Sequence, residues 1–142
     1  MNNLAVKLHS IDDKVMFSAI ARETSGIVID YFPPLGTGKG YTSLELLMVS
    51  FGSCVSATLL TVLRHRMKKI ISGISTEVEG TVREEHPKTL DHILLRLNIK
   101  ASDLTETEVR ENLKVLEDKL CPVWAMIKGN ITIAVEVTIS PF

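Results

Sequence analysis

The chain has 142 residues, enough for one hydrophobic core and too few for two ordinary domains, so we expect a single domain over residues 1–142. Its 16 basic and 17 acidic residues give a formal net charge of −1, which offers no basic surface for nucleic acid. The first segment, MNNLAVKLHSIDDK, lacks the continuous apolar core of a signal peptide, and we therefore expect a cytoplasmic protein.

Strands are predicted in the first third of the chain. Residues 15–22 and 27–32 flank Ser25 and Gly26, which is the pattern of an antiparallel hairpin or meander. Residues 33–40 then contain three glycines and two prolines, so they form a loop. The sequence GTGKGYTS lacks the spacing that places a P-loop lysine beside its Ser/Thr, and we do not expect a phosphate site there.

Residues 42–69 form the most distinctive stretch of the chain. Thr42 and Glu45 have the spacing of a capping box, which predicts that a helix begins at Thr42. Residues 42–69 contain no proline and residues 46–63 carry no charge, so we expect a helix of about seven turns over 42–69 that is apolar on every side. Such a helix is stable in water only when neighbours surround it, which predicts a central helix buried on all faces.

A membrane-spanning helix is the alternative for this stretch. Residues 46–63 reach the minimum length for a span, and a basic segment, RHRMKK, follows them. The run nevertheless contains five serines and threonines, and it lies between segments patterned like soluble strands. We therefore expect no contact with a membrane.

The sequence of the second half of the chain predicts a hairpin, then two helices and a last strand. Residues 76–83 and 93–100 alternate between apolar and polar side chains, as paired strands do. Thr105 and Glu108 form a second capping box, which opens an amphipathic helix. Pro122 interrupts that helix and starts a short one capped by Cys121, before a strand at 131–139. The whole order predicts an α+β fold with antiparallel sheets around the central helix.

The two cysteines are the residues with the most reactive chemistry. Their spacing fits no zinc motif, and we predict no metal and no cofactor. Cys54 alone is most simply a small apolar residue of the helix. Cys121 starts a helix, where the positive end of the dipole favours a thiolate, although a structural cap explains it equally. Together the two thiols supply the minimum parts of a peroxide-reducing site, in which a sulfenic acid forms and is closed as a disulfide.

Such a site also needs a cation beside the thiolate and a carboxylate that orients the cation. Arg22, at the end of a predicted strand, is the candidate cation, because Arg64 and Arg66 lie too far down the helix. Glu45 is the charge nearest the head of the helix. Nine positions at about 100° each place Glu45 on the opposite side from Cys54, so capping explains Glu45 without catalysis.

Three segments resemble a known superfamily: SLELLMVSFGSC, EEHPKTLDHILLRLNI, and LEDKLCPVWAMI before NITIAVEV. They resemble the OsmC/organic hydroperoxide resistance proteins, and most closely the OsmC-like branch of poorly characterised function. The resemblance implies an intertwined homodimer whose sheets are built from both chains around the long helices. It also implies that Cys54 is the peroxidatic thiol and Cys121 the resolving thiol. The glutamate of the peroxidase members falls at Leu44, one position before Glu45.

We therefore predict a thiol-dependent organic hydroperoxide reductase of oxidative stress defence, with Cys54, Cys121, Arg22 and Glu45 as site residues. The predicted partners are a second copy of the chain, a hydroperoxide or another small apolar ligand, and an external dithiol reductant. The alternative is a non-catalytic ligand-binding or interaction protein that keeps the dimer scaffold.

Overall fold

The computed structural model of the protein describes residues 2–142 and has a mixed α+β architecture, which confirms the predicted fold class. The chain divides into two compact units, one up to Leu47 and one over Met48–Phe142. The strands and helices are, in order, β1 (Lys7–Ser10), β2 (Phe17–Ile20), β3 (Ile27–Ile29), α1 (Ser43–Thr61), β4 (Ile71–Val82), β5 (Leu90–Ala101), α2 (Glu106–Val115), α3 (Pro122–Ile127) and β6 (Thr132–Ser140).

The first unit contains a three-stranded antiparallel sheet in the order β1-β2-β3, so the predicted hairpin around Ser25 and Gly26 is confirmed. The strands are shorter than predicted. Strand β2 ends at Ile20 rather than at Arg22, because Arg22 has a backbone φ of 54°, which no extended strand accommodates. One face of this sheet carries Leu8, Phe17 and Ile27, all of them exposed in the single chain.

The loop after β3 is organised by a buried carboxylate. Asp30 is fully buried and accepts hydrogen bonds from the hydroxyl of Thr37 at 2.5 Å and from the amides of Tyr31 and Thr37 at 2.8 and 3.0 Å. The hydrogen bond from the Thr37 hydroxyl is the largest cause that lowers the pKa of Asp30 to about 2. The predicted loop is therefore an ordered turn around one charge.

Helix α1 has the predicted N-terminal cap. The amide of Thr42 donates to Glu45 Oε1 at 2.8 Å, and the amide of Glu45 donates to Thr42 Oγ1 at 3.2 Å, which confirms the capping box. The helix is shorter than predicted, because the α-helical part ends at Thr61 and a π-helical turn, Val62–Arg66, follows. The amide of Met67 bonds to the carbonyl of Val62 and closes that turn.

The prediction that α1 is buried on all faces is wrong for the single chain. Phe51, Val55 and Leu59 lie on a fully buried face. The opposite face is exposed, and its residues are Val49, Ser50, Ser53, Ala57 and Thr61. The helical stretch Ser43–Arg66 is long and apolar enough to span a membrane, but the core helix of a soluble protein has the same composition.

Small residues let α1 approach β4 closely. A Cβ atom at Gly52 would lie 2.8 Å from Val78 Cγ2, so no larger residue fits there without a shift. One turn later, the hydroxyls of Ser56 and Thr76 are 2.6 Å apart. Gly52, a poor helix former, is therefore explained by packing against the sheet.

The second sheet has the order β4-β5-β6. Strands β4 and β5 pair antiparallel, with Val78 opposite Leu95, and confirm the predicted long hairpin. Strand β6 instead runs parallel to β5, so the prediction of antiparallel sheets is wrong for this strand. The reason is the connection, because α2 and α3 form a crossover long enough to return the chain in the same direction.

Helix α2 begins with the predicted capping box of Thr105 and Glu108. A π-helical turn, Leu116–Leu120, extends α2 up to Cys121. Cys121 has extended backbone angles (φ −88°, ψ 107°), and Pro122 occupies the first turn of α3. The chain therefore changes direction at Cys121, as the proline predicts.

Candidate functional site

The two cysteines meet within the second unit. Cys54, from the middle of α1, and Cys121, from the corner between α2 and α3, are 67 positions apart in the chain. Their Sγ atoms nevertheless lie 3.0 Å apart, and the thiol of Cys121 donates a hydrogen bond to the sulfur of Cys54. Both cysteines are free thiols. A small movement of either side chain would bring the sulfur atoms to the 2.0 Å of a disulfide bond.

The two thiols differ in exposure. Cys121 is buried, with 1% of its surface accessible, whereas Cys54 is partly accessible. Sulfur oxidation by a peroxide needs an accessible thiolate, so Cys54 is the better placed of the two for the first attack. Cys121 is placed to react with Cys54 rather than with solvent.

The expectation that the helix dipole favours a thiolate at Cys121 is wrong. Burial, and then the hydrogen bond to Cys54, raise the pKa of the Cys121 thiol to about 11. The amides of Trp124 and Val123 act in the opposite direction, as a helix N-terminus should, but they do not outweigh the burial. Cys121 therefore stays protonated near neutral pH.

An aromatic pair lies beside the thiols. The rings of Phe51 and Trp124 pack edge to face, with centroids 5.4 Å apart and an interplanar angle of 89°. Phe51 precedes Cys54 by three positions on α1, and Trp124 follows Cys121 by three positions in α3. Phe51 and Cys54 lie on the same side of α1. Cys121 is the N-cap of α3 and Trp124 lies in its first turn, so the aromatic contact and the thiol contact both join α1 to α3.

The sequence analysis did not single out Phe51 or Trp124. The signal was present, because each cysteine has one aromatic residue three positions away in the sequence. Neither residue carries reactive chemistry, and an apolar residue of a buried helix is unremarkable in sequence. Their role is visible only when both helices are placed.

Glu45 and Arg22 belong to the first unit. Glu45 makes the capping box and is exposed, so its capping function accounts for its hydrogen bonds. Arg22 is exposed and lies in the turn between β2 and β3. Catalytic roles for these two residues stay predictions. Within residues 2–142, no group of three or more His, Cys, Asp or Glu side chains is arranged to hold a metal ion.

The comparisons with known proteins agree with the fold. The sequence profile of the OsmC-like protein family matches residues 36–136, and the chain therefore belongs to that family. The matched range spans parts of both compact units. The apolar helix α1 lies within the matched range. No curated protein matches the sequence.

Solved structures resemble the chain over nearly its whole length. A hypothetical protein from Aquifex aeolicus VF5 has a TM-score of 0.85 at 23% identity, with 100% of this chain and 99% of that chain covered. The OsmC-like protein of Mycoplasma pneumoniae has a TM-score of 0.81 at 22% identity, with 97% of each chain covered. The organic hydroperoxide resistance protein OhrB of Bacillus subtilis has a TM-score of 0.71 at 14% identity, with coverages of 96% and 98%. At such identities the likeness concerns the fold alone.

Proposed function

We propose that this OsmC-like protein reduces organic hydroperoxides through Cys54 and Cys121. The observation that carries the proposal is the 3.0 Å contact between the sulfur atoms of Cys54, a partly accessible residue, and Cys121, a buried residue whose thiol pKa is raised. A two-cysteine peroxidase needs this division of roles, because one thiol must react with the peroxide while the second must lie close enough to form a disulfide with the oxidised sulfur. The similar OhrB protein of Bacillus subtilis is named an organic hydroperoxide resistance protein, which agrees with this class of substrate.

The reaction has two steps at these sulfur atoms. The deprotonated Cys54 attacks the distal oxygen of the hydroperoxide, the O–O bond breaks, and the alkoxide takes up a proton to leave as an alcohol. Cys54 is then a sulfenic acid. The Cys121 thiol attacks the Cys54 sulfur, an S–S bond forms, and the hydroxyl group leaves with the thiol proton as water. An external dithiol reduces the disulfide and is itself oxidised to a disulfide.

The surroundings of the thiols favour an organic substrate. Phe51 and Val55 are fully buried, and Trp124 is nearly so, close to the two thiols along their helices. Apolar side chains stabilise a bound alkyl or aryl group by removing it from water, and they give hydrogen peroxide no comparable advantage. We propose a cytoplasmic location because both thiols must return to the reduced state.

The proposed assembly is a homodimer. The exposed apolar face of the first sheet, formed by Leu8, Phe17 and Ile27, and the exposed face of α1 support it. The exposed apolar side chains of the first sheet are stabilised when a partner covers them, and a second copy of the chain is the partner we propose. Arg22 and Glu45 are retained as candidate site residues on the basis of the sequence.

The test of this function is hydroperoxide turnover. We expect the wild-type protein to consume cumene hydroperoxide in the presence of a dithiol. With Cys54→Ser, the rate of consumption should fall to that of the uncatalysed reaction. Ser53→Ala, on the exposed neighbouring position, is the matched control and should keep full activity. Arg22→Ala and Glu45→Gln test the two remaining candidates in the same assay. Equal rates for the wild type and Cys54→Ser would refute the proposal.

A second candidate function is non-catalytic binding of a small molecule. A cleft of about 470 Å³ lies between α2, α3 and β6 and is lined by apolar residues, including Leu113, Trp124 and Ile133, together with Arg110 and Lys128. Its volume is within the range of small-molecule sites. This function predicts that a ligand raises the Tm of the protein whether or not Cys54 is present, measured in wild type and Cys54→Ser.

A further inference from the structure

Two segments meet at Cys121, the π-helical turn Leu116–Leu120 and helix α3, and we call them the two arms of the corner. A cluster of ion pairs connects these two arms. Lys128, at the end of α3, lies 3.3 Å from Asp118 Oδ1 and 3.5 Å from Glu117 Oε1. Both carboxylates belong to the π-helical turn that precedes Cys121. Lys114, from α2, contacts the same two carboxylates at 3.4 and 3.6 Å. The contacts made by Lys128 therefore span ten and eleven positions and enclose Cys121.

The backbone at the corner leaves Cys121 dependent on those arms. The amide of Cys121 bonds to the carbonyl of Leu116 at 2.9 Å, and its carbonyl accepts from the amide of Ala125 at 3.1 Å. One bond ties Cys121 to each arm, and Pro122 lacks an amide hydrogen with which to add another. The angle between the arms thus decides where the Cys121 sulfur lies.

We propose that Lys128 is a positioning residue that holds the arm of α3 against the turn at Leu116–Leu120, and so keeps the Cys121 sulfur within reach of Cys54. This role deepens the proposed function and rests on it for its use in catalysis. The physical requirement is strict, because disulfide closure fails when the side chains are displaced by more than a small distance.

The charges of these side chains agree with this role for the ion pairs of Lys128 with Asp118 and Glu117, which we call the clip. Burial raises the pKa of Asp118, but hydrogen bonds from Lys128 and Lys114 outweigh it and lower the pKa overall, so the carboxylate is charged at neutral pH. The side chains are partly accessible, with 49% of Lys128, 40% of Asp118 and 28% of Glu117 exposed. A single partly exposed ion pair contributes little to stability. A network in which several charges share contacts, as they do here, contributes more. Salt should therefore weaken the clip.

The experiment measures how readily the two thiols close a disulfide, independently of any peroxide. Reduced protein is equilibrated with mixtures of reduced and oxidised glutathione, and the effective concentration of Cys121 toward Cys54 is obtained from the disulfide fraction. We expect Lys128→Met and Asp118→Asn each to lower that effective concentration by about 3- to 10-fold, and the double variant to lower it no further. Lys128→Arg should restore it, and high salt should lower it in wild type but not in Lys128→Met.

Lys119→Met is the control, because Lys119 is exposed on the same turn and forms no ion pair with other residues in the range 2–142. An unchanged effective concentration in Lys128→Met, or an equal fall in Lys119→Met, overturns the proposal. Urea unfolding of each variant establishes that the fold is retained. If the variants behave as expected but the wild type turns over no peroxide, the positioning role of Lys128 is supported and the peroxidase function is refuted. Failure of the positioning role can therefore be distinguished from failure of the proposed function.

Discussion

The edge of one ring meets the face of the other where Phe51 of α1 contacts Trp124 of α3, with 5.4 Å between the centroids. Both side chains are buried, and both lie three positions from a cysteine of the thiol pair. The contact therefore joins the two helices that carry Cys54 and Cys121. Loss of this packing should affect both the stability of the protein and the meeting of the sulfur atoms.

Phe51→Ala should lower the free energy of unfolding by about 3–5 kcal/mol, because it removes a fully buried ring and leaves a cavity. Urea denaturation monitored by the fluorescence of Trp124 measures the change. Glu111→Ala, at an exposed position of α2, is the control, and its effect should stay within about 0.5 kcal/mol. Similar losses in the two variants would contradict the packing described for α1.

Asp30→Asn should lower the Tm by about 5 °C at neutral pH, because a buried charge that accepts several hydrogen bonds is replaced by an amide that cannot accept them all. The pH dependence has a definite sign. The pKa of Asp30 is lowered, so its stabilisation is complete above the ordinary value of 3.8 and is lost as the pH falls toward 2. Thermal unfolding from pH 2 to 7 measures both effects.

The exposed Asp13 provides the control for Asp30. Asp13→Asn should leave the Tm nearly unchanged throughout the same pH range. If the stability difference between wild type and Asp30→Asn did not narrow as the pH falls toward 2, the network around Asp30 would not be the one described.

Cys121 should resist alkylation at neutral pH. Its thiol is buried and its pKa is raised to about 11, so the reactive thiolate becomes abundant only in alkaline solution. Iodoacetamide at pH 8 followed by peptide mass mapping should label Cys54 first, and labelling of Cys121 should increase steeply above pH 10. Faster labelling of Cys121 than of Cys54 at pH 8 would reverse the roles given to the two thiols.

Leu8→Asp should convert the proposed homodimer into a monomer or prevent its assembly, because it places a charge on the exposed apolar face of the first sheet. Sedimentation velocity of wild type and variant measures the mass in solution. His9→Asp is the control, since the adjacent residue of a strand points to the opposite face. A monomeric wild type, or an equal effect of both substitutions, would contradict the proposed assembly.

Local patterns in the sequence predicted most of the elements correctly. The two capping boxes and the helix start after Cys121 depend on residues within a few positions of one another, and the β4–β5 hairpin was predicted from the alternation within each strand. The direction of β6 was predicted wrongly, because alternation marks a strand but carries no information about the neighbour with which it pairs.

The chemistry of the site was only partly predictable. Helix-dipole reasoning favoured a thiolate at Cys121, but the desolvation that decides its pKa comes from residues distant in sequence. The burial of α1 on all sides was inferred from its composition, and composition does not say which neighbours belong to the same chain. The 3.0 Å approach of the two sulfur atoms is likewise a result of tertiary packing.

Formation of the Cys54–Cys121 disulfide by a stoichiometric hydroperoxide is the most direct test of the proposed redox pair. Reduced protein is treated with one equivalent of cumene hydroperoxide, and its intact mass and peptide map are recorded. We expect the wild type to lose two hydrogens and to contain one Cys54–Cys121 bridge, whereas Cys121→Ser should retain a sulfenic acid on Cys54 that dimedone traps. Thiols left unmodified in the wild type under these conditions would contradict the peroxidase and favour the non-catalytic ligand-binding protein.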